Sequence, residues 1–216
     1  MTQLVADTVK KRLSEVCKNS KQHVDMQRLM TRYAIERFMW RIGQSRHAGQ
    51  FTLKGAMAFA YYAPDSSRTT KDVDFTMSGQ YPPEKIKTML SEIARVKMDD
   101  GIKFNSNAII LRSVGQDKAV EGYSARIPAR LSTSICNVDV NISFGDAIYP
   151  DAPKVSIPSL LVGKAQYPVL RIYPVETIIA EKYQTIVRLG MSNTRLKDHH
   201  DLYELLLSNS IAGKSS

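Results

Sequence analysis

Phe51-Thr52-Leu53-Lys54-Gly55-Ala56, followed further along by Asp72-Val73-Asp74-Phe75, decides how this chain reads. The first run is a short apolar strand broken at Gly55. The second is a strand with carboxylates on alternate residues. Side chains two apart on a strand point to one face, so Asp72 and Asp74 present their oxygens together. Hard Mg²⁺ favours such oxygens and usually borrows further ligands from a phosphate. A glycine turn permits close backbone approach to that phosphate, and Lys54 beside it adds charge or snorkels along the surface. The bland reading is that Asp72 opens a turn and Asp74 is a solvated strand residue, because short motifs match by chance.

A third acid weighs against the bland reading. Val138, Val140, Ile142 and Phe144 alternate with Asn137, Asp139, Asn141 and Ser143, which marks a strand with one apolar and one polar face. Asp139 lies on the polar face. If its strand neighbours that of Asp72 and Asp74, three carboxylates converge on one or two metal ions.

Around these strands the pattern is helical. Residues 5–17 and 24–42 read as helices, the second with Met26, Leu29, Met30, Tyr33, Ala34, Phe38 and Ile42 at three-and-four spacing. A short helix is expected at 56–62, and another from Pro82-Pro83 to about Val96. Strands are expected at 108–113, 123–131 and 170–173. A helix starting at Pro174 reaches Leu189 and stops at Gly190, and a last one covers about 194–207. The order of helices, mixed sheet and helices predicts an α+β domain with a small helical C-terminal part.

Composition is that of an ordinary globular domain of 216 residues, 43% hydrophobic and 24% charged. No apolar run approaches the ~18 residues of a membrane span, and Met1 to Lys11 lacks the apolar core of a signal peptide, so cytoplasmic residence is expected. Cys17 and Cys136 lie far apart, without zinc-ligand spacing, and read as reduced thiols. The net charge of +9 draws anionic partners, nucleic acid foremost, or simply keeps the chain soluble.

Several further residues carry two readings. Arg68 and Lys71 flank the acid pair and either neutralise a triphosphate or are loop charges. Lys182, Arg188, Arg195 and Lys197 form a carboxylate-free basic stretch. Asp198 and Asp201 share a face of the last helix. Asp198 also suits a helix N-terminus, and Lys197 could pair with Asp201 on the surface. His199 and His200 diverge by ~100° on a helix and so do not readily share an ion. No Walker phosphate loop or Ser/His/Asp signature is present.

Residues 51–59 with 68–74, Val138-Asp139-Val140 with Phe144-Gly145-Asp146, Glu181-Lys182-Tyr183, and 193–202 with its Lys197-Asp198-His199-His200-Asp201-Leu202 core occur in that order. Together with Arg32 to Arg37 upstream, they resemble the AbiEii abortive-infection nucleotidyltransferases. These are toxins of type IV-like toxin–antitoxin pairs within the DNA polymerase β-like superfamily. The resemblance spans roughly residues 25–207, and four motifs in order are more specific than any one of them. It departs at Ala56, where a Gly or Ser is usual and a phosphate-binding hydroxyl is lost, and at His199 and His200, where aromatics are usual. Many relatives also carry a longer helical C-terminal region, so either a reduced acceptor-binding surface or a truncated chain is the expectation here.

The resemblance implies a nucleotidyltransferase-type mixed sheet flanked by helices, with residues 1–168 as the core and 169–216 as a helical segment closing the cleft. It implies Mg²⁺, or Mn²⁺, held by Asp72, Asp74 and Asp139, and an NTP as substrate. Lys54, Gly55, Ala56, Arg68, Lys182 and Arg195 would bind the nucleotide, and Asp198 would orient Lys182 or touch the nucleotide. Implied partners are tRNA or another RNA as acceptor and a cognate antitoxin, with no membrane. A protein acceptor, a non-catalytic nucleic-acid-binding module and a metal-dependent nuclease stand as the alternatives.

Overall fold

A computed structural model describes residues 2–19, 24–64, 70–115, 122–161, 163, 166–189 and 196–212. Helices α1 (Thr2–Asn19) and α2 (Met26–Gln44) come first, and the Asp25 side chain caps α2 by accepting from the Gln27 N–H at 3.1 Å. Then follow β1 (Phe51–Lys54), α3 (Gly55–Tyr62), β2 (Asp72–Met77) and α4 (Pro83–Ala94). The next strands are β3 (Ile102–Phe104), β4 (Ile110–Val114), β5 (Gly122–Ile127), β6 (Ala129–Leu131), β7 (Ser134–Ile135), β8 (Val138–Phe144), β9 (Lys154–Ser156) and β10 (Val169–Ile172). Helices α5 (Val175–Leu189) and α6 (Leu196–Ala212) end the described chain. None of the described helices is long and apolar enough to cross a membrane.

The central sheet is mixed, as expected, and runs β4-β5-β8-β2-β1-β10-β9. Strand β2 is parallel to β8 and antiparallel to β1, so the two acid-bearing strands are neighbours. Strand β10 joins the same sheet parallel to β1. The run expected as one strand over 123–131 is two. Pro128 interrupts it, having no N–H to donate to a ladder. Its carbonyl accepts from Asn105 instead, and β6 continues into a second sheet, β3-β6-β7.

One face of the central sheet is fully buried through Leu53, Val73, Phe75, Val138 and Val140, with Phe51 and Phe75 edge to face at 5.5 Å. Helix α2 packs on β8 and β10, and α4 against α2 and β4. The three-and-four apolar stripe of α2 is in the core as read, but three charged residues are buried beside it. Glu36 pairs with Arg32 and accepts the Leu160 N–H at 3.0 Å. Burial pushes its carboxyl above the ordinary range despite those partners. Arg37 donates to the Gln166 carbonyl and the Ser159 hydroxyl. Arg41 forks onto Asp100 at 2.6 and 3.1 Å, both side chains being almost wholly buried. These groups tether irregular segments to the helix and so fix the buried side on which the sheet rests.

Replacing Asp100 by Ala would strand a buried guanidinium. The expected loss is about 3–5 kcal/mol, read as a lower urea midpoint with unchanged slope.

Candidate active site

Strand register builds the site as successive rungs across the open face of the sheet. The first is Ile110–Arg126–Asp139–Asp72, crossing β4, β5, β8 and β2. The second, two residues along, is Arg112–Ser124–Asn141–Asp74–Lys54, reaching β1. Paired residues share a face, and so do residues two apart, so both rungs point the same way. A cavity of about 330 Å³ lies on them, with Lys71 at its edge.

The acids are each partnered. Asn141 donates its amide to Asp74 at 3.0 Å and to Asp72 at 3.4 Å, bridging the two carboxylates. The Thr70 hydroxyl donates to the other oxygen of Asp72 at 2.7 Å. Asp139 stands opposite Asp72 as the sequence reading required, but it does not turn toward the pair. Both its oxygens are taken by Arg126, at 2.7 and 3.0 Å. Accordingly no group of three or more His, Cys, Asp or Glu among the described residues is gathered to hold a metal. The donor chemistry nevertheless suits a hard divalent cation, because Asp72 and Asp74 already converge on one positive-ended donor. The Arg126–Asp139 pair is exposed, 57% and 37%, so it resists exchange only weakly.

Gly55 is required here for a reason its sequence context did not show. Its φ is +66°, and a Cβ there would stand 2.1 Å from Oδ2 of Asp74. Only glycine lets the first turn of α3 meet that carboxylate. Ala56 lies half-buried in the same turn.

Lys54 faces a polar network largely absent from the predicted site. Its ammonium donates to Asp146 at 2.6 Å, lies 3.7 Å from Glu181 and sits over the Tyr173 ring. The same Asp146 oxygen accepts from Ser143 at 2.7 Å and Tyr173 at 2.6 Å. Burial alone would raise the Asp146 carboxyl, but the bonds from Lys54, Tyr173 and Ser143 outweigh it and hold it below the ordinary range. Glu181 moves the other way, raised chiefly by burial. Burial and the Asp146 bond together raise Tyr173. Asn141 and Ser143 were readable from the period of β8. Gly145, at φ +73°, turns the chain after β8 and so precedes Asp146. Arg126 and Tyr173 had no local signal, because their partners Asp139 and Asp146 lie far off in the chain.

Lys182 follows Glu181 by one residue and therefore points elsewhere. It pairs with Asp198 at 3.3 Å and with Asp201, and its ammonium lies 5.8 Å from the centre of the Phe59 ring on α3. Asp201 is thus buried against Lys182, and the side chain of Lys197 lies outside the described residues. Oδ2 of Asp198 is buried and has no hydrogen-bond partner among the described residues. His199, His200 and Arg188 are exposed. Arg68 and Arg195 lie outside the described residues.

A family model described as "Nucleotidyl transferase AbiEii toxin, Type IV TA system" matches residues 37–215. Among solved structures, JHP933 from Helicobacter pylori superposes with a TM-score of 0.54 at 15% identity, over 84% of this chain and 67% of its own. That likeness is one of fold. ANT(2″)-Ia in complex with adenylyl-2″-tobramycin gives a TM-score of 0.41 at 13% identity, over 85% of this chain and 97% of its own, too loose to argue from. No curated protein matches the chain.

Tyr173→Phe removes one of the three donors on Asp146 while keeping the ring. The Asp146 carboxyl should then titrate at higher pH than in the parent, a shift visible by ¹³C NMR of labelled aspartate.

Proposed function

The chain belongs to the AbiEii nucleotidyl transferase toxin family, and from that premise we propose that it moves a nucleoside monophosphate from an NTP to the 3′ end of tRNA. The observation that carries this reading is the register placing Asp72, Asp74 and Asp139 on adjacent strands beside the Gly55 turn. Asp72, Asp74 and, once parted from Arg126, Asp139 are the residues that would hold Mg²⁺ or Mn²⁺. The ion would offset charge on the triphosphate and on the departing pyrophosphate.

The protein's own groups do the rest. The start of α3 offers backbone N–H groups to a phosphate, as Ala56 has no hydroxyl to contribute. Lys54, held in place by Asp146, adds positive charge beside them. Asp139 takes the proton of the acceptor hydroxyl as its oxygen bonds the α-phosphorus and the bond to pyrophosphate breaks. Lys182 contacts phosphate or base, oriented by Asp198, and Arg68 and Arg195 assist. Asp201 belongs with Asp198, because both carboxylates reach the same ammonium.

An RNA acceptor suits the +9 charge. Modifying tRNA ends would block aminoacylation and halt translation, which suits a toxin working in the cytoplasm and neutralised by an antitoxin partner.

Purified protein incubated with α-labelled NTPs, Mg²⁺ and total tRNA should transfer label to RNA. Asp72→Ala and Asp74→Ala should each lower the rate by about 10²–10³-fold, the scale of losing one transition-state contact. Label on protein would point to a protein acceptor. RNA shortening without NTP would point to a nuclease, and transfer surviving in both variants would refute the site.

A further inference from the structure

The acid rungs have two different flanks. On the β1 side stand Gly55 and Lys54, where the proposed triphosphate lies. On the β5 and β4 side stand Arg126 and Arg112. That second flank continues into a further cavity of about 400 Å³ running to the start of α2. The two cavities share Lys71, Arg126 and Asp139, the first adding Arg112 and the second Arg28. All four cations are exposed. Asp25 also lines the second cavity, but it is engaged as the α2 cap. Asp139 lines both cavities and Asp72 the first, and both are among the proposed metal ligands.

We infer that this groove is the acceptor track: a single-stranded RNA end lies along Arg28, Lys71, Arg112 and Arg126 and delivers its 3′ hydroxyl to Asp139. The inference rests on the nucleotidyl transfer proposed above and adds where the acceptor enters. Arg126 has a double role. Its planar fork, bidentate on Asp139, fits a phosphodiester equally well. Asp72 and Asp139 would hold the divalent cation, and Asp139 so engaged would release the Arg126 guanidinium to the groove. Partner exchange of this kind admits the acceptor's phosphate as Asp139 turns to its own task.

The test uses the full chain with two probes: a short single-stranded RNA with a free 3′ hydroxyl, and Mn²⁺ with non-hydrolysable analogues of the four NTPs. Arg28→Ala and Arg112→Ala should each lower the slope of log RNA affinity against log salt by about 0.7, the value per lost phosphate contact on a single strand. Both should leave analogue binding unchanged, and Lys54→Met should do the reverse. Arg126→Ala should lose RNA affinity likewise while binding Mn²⁺ alone about fivefold more tightly, the scale of one unit charge at about 4 Å in water. A purely structural clamp at Arg126 would move neither RNA nor Mn²⁺ binding. Parent-level salt slopes in all the arginine variants, or losses falling on the analogues, would overturn the acceptor track alone. Parent protein that binds analogues but not RNA would overturn the RNA acceptor itself.

Discussion

Asp72 and Asp139 face each other across two hydrogen-bonded parallel strands, and like charges so placed repel. Much of the surrounding structure answers that repulsion. Arg126 extends the rung on the far side and forks onto Asp139. Asn141, one step along β8, sets its amide between Asp72 and Asp74, and Thr70 supplies a hydroxyl to the remaining oxygen of Asp72. Gly55 forgoes a side chain so that Asp74 can sit against the start of α3. Three acids on a packed sheet are tolerable because each has a donor.

A second set of contacts binds the β1 side of the sheet to the C-terminal helices. Asp146 gathers Lys54, Ser143 and Tyr173 onto one oxygen, and Glu181 on α5 approaches the same lysine. One residue later on α5, Lys182 turns to α6 and is held by Asp198 and Asp201. Adjacent helical residues thus serve two networks, one facing the sheet and one facing α6. Charge at Lys54 is screened by Asp146, and charge at Lys182 by two buried carboxylates. Both lysines are held in fixed geometry instead of moving freely in solvent, which suits the role proposed for them toward a triphosphate.

Much of the fold was legible because period carries it. Strict alternation in Val138 to Phe144 marked the strand, its faces and the place of Asp139, and three-and-four spacing marked α2. What failed to show was short or non-local. Strands β3, β7 and β9 are too brief for a period to appear. The bend at Pro128 moved β6 into another sheet, which a run of alternating residues conceals. Glu36, Arg37 and Arg41 carry no apolar signal, and they are buried because Asp100, Ser159, Leu160 and Gln166, far off in the chain, bond to them.

The sequence by itself determined which residue types stand on which face: Asp72 with Asp74, and Asp139 with Asn141 and Ser143. Local geometry alone decides these, through the two-residue repeat of a strand, whereas the need for glycine at 55 follows from the carboxylate of Asp74 packed against it. The four ordered motifs also sufficed to identify the family. Only the tertiary structure decided that β2 and β8 are neighbours in register, that Arg126 holds Asp139 away from the other two acids, and that Asp146 organises Lys54, Tyr173 and Glu181. These depend on strand order and on carboxylate orientation. Both are set by contacts between residues far apart in the chain, which no local pattern records.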